Sequence, residues 1–271
     1  MRVAQLTPDR LPGATHPWFL GVRTPRVLAH RGFVPAGSGG IVENTFAAIA
    51  AAHAEGADYV ESDCHLTRDG VVVLFHDSDL SRVAGDPRKL SEIRHDDLAQ
   101  LMADRGGLVT AADALEGFPE LRFNFDVKAE DAARPLGRIV ARHADRVLLT
   151  SFSDGRRVTA LEAARAAGGS PATSAGQSTI ARLLGAVRLR SLPLVRRTLA
   201  GIDALQVPER VGAVRIVTPR LITAAHACGV EVHVWTVNDP DRMDALFGLG
   251  VDGVVTDRTD LALLAAQRRR V

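Results

Sequence analysis

His30 and His76 each end an apolar, strand-like run, and each is followed at once by a charged residue, Arg31 and Asp77. Imidazole titrates near neutrality, so a pair of them can act as base toward one oxygen and acid toward another. Carboxylates accompany them. Glu61 and Asp63 stand two apart on an apolar run, and on a strand that spacing sends both side chains to the same face. Asn124, Asp126 and Lys128 repeat the arrangement further on. Several carboxylates gathered at one place are costly unless positive charge joins them. Two partners meet that need: a single divalent cation, which with oxygen-only ligands points to Mg2+ or Ca2+ rather than Zn2+, or the side chains of Arg31, Lys128 and nearby arginines.

The elements that must hold these residues alternate strand and helix. Strands are expected at 27–29, 57–66, 121–127, 146–151, 171–174, 204–207, 230–237 and 253–256, with 71–75 extending the sheet after the Arg68-Asp69-Gly70 turn. Helices are expected at 43–55, 132–143, 156–167, 179–199 with Pro193 interrupting, 219–228, 240–247 and 259–268. Eight strand–helix units with short connections predict an α/β fold, a closed (β/α)8 or TIM barrel in one domain. The glycine fingerprint of an open dinucleotide-binding sheet does not follow the first strand. In a barrel the working residues lie at the C-terminal ends of the strands, where the sequence puts His30, Glu61, Asp63 and Asp126. Residues 1–25, with prolines at 8, 12, 17 and 25, read as an irregular lead-in covering one end, and 26–271 as the barrel domain. A lid-like excursion after the second strand is expected at about 78–107, with a helix at 91–102 capped by Ser91.

A length of 271 residues suits one such barrel, and 46% hydrophobic residues supply a large core. Thirty-three basic and 32 acidic residues leave a net charge of +1, which gives no overall field for nucleic acid or an anionic membrane. A small-molecule partner is expected. Cys64 and Cys228 show no disulfide or metal spacing, in keeping with a reducing cytoplasm. Neither a signal peptide nor a membrane-spanning run is read, and no exposed apolar wedge is identified.

Beyond these patterns, an ordered series of motifs resembles the glycerophosphodiester phosphodiesterase family. It comprises His30-Arg31-Gly32, Glu43-Asn44-Thr45, Glu61-Ser62-Asp63, Asp69-Gly70, His76-Asp77, Asn124-Phe125-Asp126-Val127-Lys128, Val234-Trp235-Thr236-Val237-Asn238 and Val251-Asp252-Gly253-Val254-Val255-Thr256-Asp257. The resemblance implies a metal-dependent barrel enzyme that hydrolyses glycerophosphodiesters to glycerol 3-phosphate and an alcohol. It implies His30 and His76 as the acid–base pair, Glu61, Asp63 and Asp126 as ligands of one divalent cation, and Arg31 and Lys128 on the phosphate. Trp235 at a strand end is expected to wall the substrate. Glu43 and Asn44 are expected behind these groups, Glu43 orienting Arg31 or approaching the metal. One departure stands out: the family usually has glutamate where this chain has Asp126, a loss of one methylene of reach. Two other readings share these residues, a phospholipase D-like enzyme acting on lysophospholipids and a catalytically silent phosphate- or sugar-binding barrel.

Overall fold

The structure, a computed structural model, describes residues 15–270; residues 1–14 of the expected lead-in, and Val271, lie outside them. In chain order, β1 (Arg26–His30) leads through α1 (Phe46–Glu55) to β2 (Tyr59–Leu66), on which β3 (Val72–Leu74) folds back antiparallel. Next come β4 (Asp79–Leu80), α2 (Ser81–Ala84), β5 (Asp86–Lys89), α3 (His95–Met102) and α4 (Ala111–Gly117). Alternation then resumes with β6 (Arg122–Val127), α5 (Glu130–Val140), β7 (Val147–Thr150), α6 (Asp154–Ala166), β8 (Ala172–Thr173), α7 (Gln177–Arg188) and α8 (Leu192–Thr198). The last third holds β9 (Ala204–Pro208), a small hairpin of β10 (Arg210–Val211) and β11 (Val214–Arg215), α9 (Pro219–His226), β12 (Glu231–Trp235), α10 (Pro240–Leu249), β13 (Gly253–Thr256) and α11 (Thr259–Arg270).

Eight of the strands lie side by side in the order β8-β7-β6-β2-β1-β13-β12-β9, each parallel to its neighbours. A parallel bridge from Ser174 to Ala204 joins the two ends of that row and closes the expected (β/α)8 barrel. The strands are rich in valine, leucine and aromatic residues and are buried on both faces, as a sheet wrapped in helices requires. Among the described residues no helix is long and apolar enough to cross a membrane.

Local differences from the expected elements have physical causes. The helix expected from Ser91 begins instead at His95, and Ser91 caps nothing: it lies in a tight 3-10 turn, Leu90–Glu92, whose Glu92 carboxylate accepts the Lys89 amide. Ile93 is then extended and buried with Phe75, Leu80, Leu90 and Leu98 in a small core of the excursion, which overrides the helical pattern. The basic stretch at 179–199 is two helices, with Pro193 in the first turn of α8, where its missing N–H costs nothing.

The end of the barrel at the strand N-termini is sealed by residues of the lead-in. Trp18 is completely buried and donates its indole N–H to the Phe123 carbonyl at 3.0 Å, and Tyr59 donates to the Trp18 carbonyl. Arg26 lies beside them with both Glu231 carboxylate oxygens (2.7 and 2.8 Å), the Tyr59 hydroxyl and the Phe19 carbonyl as acceptors. His233 completes the group at 3.1 Å from Glu231.

Candidate active site

At the opposite end, the turn after β1 sets the geometry. Arg31 and Gly32 both take left-handed backbone conformations, φ 58° and 83°, so the chain reverses within two residues of His30. Glycine is required at 32 because a Cβ there would stand 2.7 Å from the Ala48 carbonyl carbon. A non-glycine residue in this region is strained, and the strain is held by the Arg31 amide on the Glu61 carbonyl and the Asn44 amide on the Arg31 carbonyl, each 2.8 Å. Thr45 then caps α1 by accepting the Ala48 amide, fixing the helix against the turn.

Around this turn the strand ends line a cavity of about 610 Å3. His30, Arg31, Glu61, Asp63, His76, Asp126, Lys128 and Trp235 all face it, as does Asn124. Glu43 and Asn44 stand behind. Glu43 accepts from Arg31 at 2.7 Å and from Arg82 of α2 at 2.6 Å, and Asn44 donates to Asp63 (3.2 Å) while accepting from Ser62. Phe33 and Phe75 belong to the core.

Each histidine has a carboxylate behind it. The Nδ1 atom of His30 meets Asp257 at 2.6 Å, and Asn238 holds Asp257 by donating to its other oxygen at 2.7 Å. The Nδ1 atom of His76 meets Asp77 at 2.7 Å, and Arg82 holds that carboxylate at 2.6 Å. An acceptor at Nδ1 fixes the tautomer and leaves Nε2 as the ring nitrogen for chemistry. Burial pulls the His30 imidazole down, but the bond to Asp257 and the nearby Glu61 charge outweigh it and leave the pKa above its ordinary value. Asp257 and Asp77 were visible in the motifs yet carried no role there. The signal was an aspartate directly after a strand end, but which imidazole it serves depends on a contact across 227 positions in one case.

The carboxylates are unequally partnered. Lys128 Nζ sits between Asp63 (2.9 Å) and Asp126 (2.7 Å), and Arg31 Nε is 3.0 Å from the other Asp63 oxygen. Burial would raise the Asp63 pKa, but Lys128 and Arg31 hold it below the usual range. Glu61 has no such cation. Burial and then the Asp63 charge push it well up, and among the described residues its Oε2 has no donor, with His30 Nε2 3.9 Å away. Asp126 is also raised, first by burial, with Lys128 opposing. Among the described residues its Oδ1 and the Oδ1 of Asn124 likewise lack donors. Among the described residues no trio of His, Cys, Asp or Glu already converges as a metal cluster, because Lys128 lies between two of the expected ligands. The donor chemistry nonetheless fits a hard cation. Buried carboxylate oxygens on Glu61 and Asp126 without a donor, beside an amide oxygen in the same state, are what Mg2+ or Ca2+ binds.

The rest of the lining is mixed: Thr150, Ser151, Gln177, Gln206 and Thr236 stand among apolar residues such as Phe152, Ile180, Leu184 and Ile216. Trp235 packs edge-on against Phe152 at 5.6 Å, and Lys128 stands 5.5 Å over the Phe152 ring. Val211 and Val214 of the β10–β11 hairpin line the cavity while 60% and 61% exposed, an apolar edge that the sequence patterns do not reveal.

With this geometry in place, comparison with known proteins gives a family. Residues 30–261 match the glycerophosphoryl diester phosphodiesterase family. The chain belongs to it. Among curated relatives, a Mycobacterium tuberculosis protein named "Probable glycerophosphodiester phosphodiesterase 2" is 36% identical over 237 residues, covering 86% of this chain and 88% of the relative. A human lysophospholipase D is 27% identical over 270 residues, covering 86% and 82%. Among solved structures, the glycerophosphodiester phosphodiesterase of Thermotoga maritima superposes with a TM-score of 0.68 at 26% identity, covering 88% of this chain and 96% of that one. A phosphodiesterase of Oleispira antarctica, solved with the product sn-glycerol-3-phosphate, shares the fold at TM-score 0.67 and 24% identity, covering 89% and 96%.

Proposed function

We propose that the protein hydrolyses glycerophosphodiesters to glycerol 3-phosphate and an alcohol, with His30 and His76 as a matched acid–base pair. The observation that carries this reading is the pair itself: two imidazoles on one cavity, each with an aspartate at Nδ1, beside buried carboxylates and two cations. Family membership and the product complex of the Oleispira antarctica protein support the substrate class. One histidine takes the proton from the glycerol 2-hydroxyl as that oxygen attacks phosphorus. The bond from phosphorus to the departing alcohol breaks, and the other histidine protonates the alcohol, leaving a cyclic phosphate. Water opens the ring with the two histidines exchanging roles, so each must be able to give and take a proton.

Arg31 and Lys128 hold the phosphoryl oxygens and Trp235 walls the glycerol. Glu61, Asp63 and Asp126 would hold one divalent cation, Mg2+ or Ca2+, which when bound supplies positive charge against the phosphate. Asp126, one methylene shorter than glutamate, already spends one oxygen on Lys128, so weaker cation binding is expected than a glutamate would give. An assay of glycerol 3-phosphate release from glycerophosphocholine, with EDTA and then Mg2+, Ca2+ or Mn2+ added back, tests the cation. Loss with EDTA and recovery with at least one ion is expected; an EDTA-insensitive rate would contradict the metal assignment.

A further inference from the structure

The reaction described above uses no atom of Asn124. The residue lines the cavity, is 1% exposed, and among the described residues its Oδ1 has no donor. A buried amide oxygen left in that state is costly unless a ligand takes it. Two neighbours share its condition. Directly opposite Asn124 on β2 stands Glu61, and two positions along β6, on the same face, stands Asp126. Glu61 Oε2 and Asp126 Oδ1 are the other oxygens without donors at this place on the two strands.

An amide can turn over and exchange its oxygen for its nitrogen, so something must decide which of the two is left for the cavity. The decision is made at the far end of the barrel. Glu231, held as a carboxylate by Arg26, can only accept, so His233 gives it the Nε2 proton across 3.1 Å. In that tautomer Nδ1 accepts, and the group beside it, at 3.5 Å, is the Gln206 amide nitrogen. The Gln206 oxygen is thereby turned the other way, where it accepts from the Asn124 amide nitrogen at 3.2 Å. With its nitrogen committed, Asn124 has only Oδ1 to offer. Turning Asn124 over would set two oxygens against each other, and turning Gln206 as well would set an oxygen against the Nδ1 lone pair of His233.

We propose that Asn124 Oδ1 is a fourth protein oxygen on the divalent cation, and that the Glu231–His233–Gln206 path holds it in that orientation. This rests on the cation reading above and deepens it by adding a neutral ligand. Asp126 is short and gives one oxygen to Lys128, which leaves the carboxylate set poor in donors. Hard cations take amide oxygens beside carboxylates, and an amide adds a donor without adding charge where Glu61 and Asp63 already repel each other. His233 and Gln206 act through Asn124 as positioning residues.

Two measurements on the intact protein test this, and neither reads activity. Affinities for Ca2+ and Mg2+ are obtained by calorimetric titration of the unsubstituted protein, Asn124→Leu and Gln206→Met. Coordinated waters are counted from the luminescence lifetimes of bound Eu3+ in H2O and D2O. Both variants are expected to bind about ten- to a hundredfold more weakly, Asn124→Leu the more so, and Asn124→Leu is expected to hold one more water on Eu3+. Gln206→Met keeps Asn124 in place, so its affinity decides the question even if Asn124→Leu does not fold. Unchanged affinity in the folded variants, or an unchanged water count in Asn124→Leu, overturns the fourth ligand and leaves Glu61, Asp63 and Asp126 as the cation's holders. A loss in Asn124→Leu with none in Gln206→Met overturns the orienting path. Binding of neither Ca2+ nor Mg2+ by the unsubstituted protein overturns the cation reading itself.

Discussion

The two ends of the barrel each bury charged side chains, and they treat them in opposite ways. At the strand N-termini Glu231 faces Arg26 through two hydrogen bonds and His233 through a third; burial would raise its pKa, but these partners bring it down to about 2. At the C-terminal ends Glu61 is just as deeply placed, but its neighbours are carboxylates and its pKa moves up. The same residue type, on parallel strands of one ring, is displaced in opposite directions by what surrounds it. Where every charge is matched the group holds the fold together; where oxygens are left without donors the structure is prepared for a ligand. A thin polar path connects the two: Asn124 donates to Gln206 at 3.2 Å, and Gln206 is 3.5 Å from His233.

The largest effect that would sharpen this contrast comes from removing one charge at the sealed end. Arg26→Met leaves Glu231 buried with only His233 beside it, which costs about 3–5 kcal/mol and lowers the Tm by about 10 °C in calorimetry, while the folded fraction keeps its turnover number. A variant that lost activity without losing stability would break the contrast.

Glu61→Gln reverses the pattern. Measured in EDTA at pH 8, its Tm is expected to exceed the unsubstituted protein's, because a destabilising buried charge is gone, while phosphodiesterase activity in the presence of cation collapses. The pH dependence follows with opposite signs. Glu61 binds its proton more tightly folded than unfolded, so its contribution is complete below its ordinary pKa of 4.5 and is lost as pH rises through its elevated value. Glu231 contributes fully above 4.5 and loses that contribution as pH falls toward about 2. Tm–pH curves in EDTA should therefore flatten on the alkaline side in Glu61→Gln and on the acid side in Glu231→Gln; flattening on the same side would contradict the assignment.

A smaller effect is expected from Asp257→Asn, which keeps a hydrogen-bonding group at His30 but removes the charge. A loss of about ten- to a hundredfold in kcat, with a displaced pH–rate profile and little change in KM, would mark Asp257 as positioning the imidazole. An unaltered profile would leave it only a structural role.

Much of the open end was legible in the sequence because strand periodicity is local. Glu61 with Asp63, and Asp126 with Lys128, share a face by their spacing, and His30 and His76 mark where apolar runs stop. Their convergence on one cavity follows from the barrel. The Asp257–His30 contact was not legible, since it is made between the first and last strands of the ring only once the barrel closes. The sealed end was hidden for the same reason: Arg26, Tyr59 and Glu231 look like ordinary strand residues until three strands and the Trp18 turn bring them together. The late start of α3 reflects the pull of Ile93 into a core that local propensity does not describe. The β10–β11 hairpin is too short for any period to show.

The most direct test of the account is glycerol 3-phosphate release from glycerophosphocholine, followed by 31P NMR, for the unsubstituted protein, His30→Ala and His76→Ala. The account predicts release by the unsubstituted protein, a loss of about a hundred- to ten-thousandfold in each variant, and Tm values within a few degrees of the parent. Full activity in both variants, with the fold intact, would contradict it.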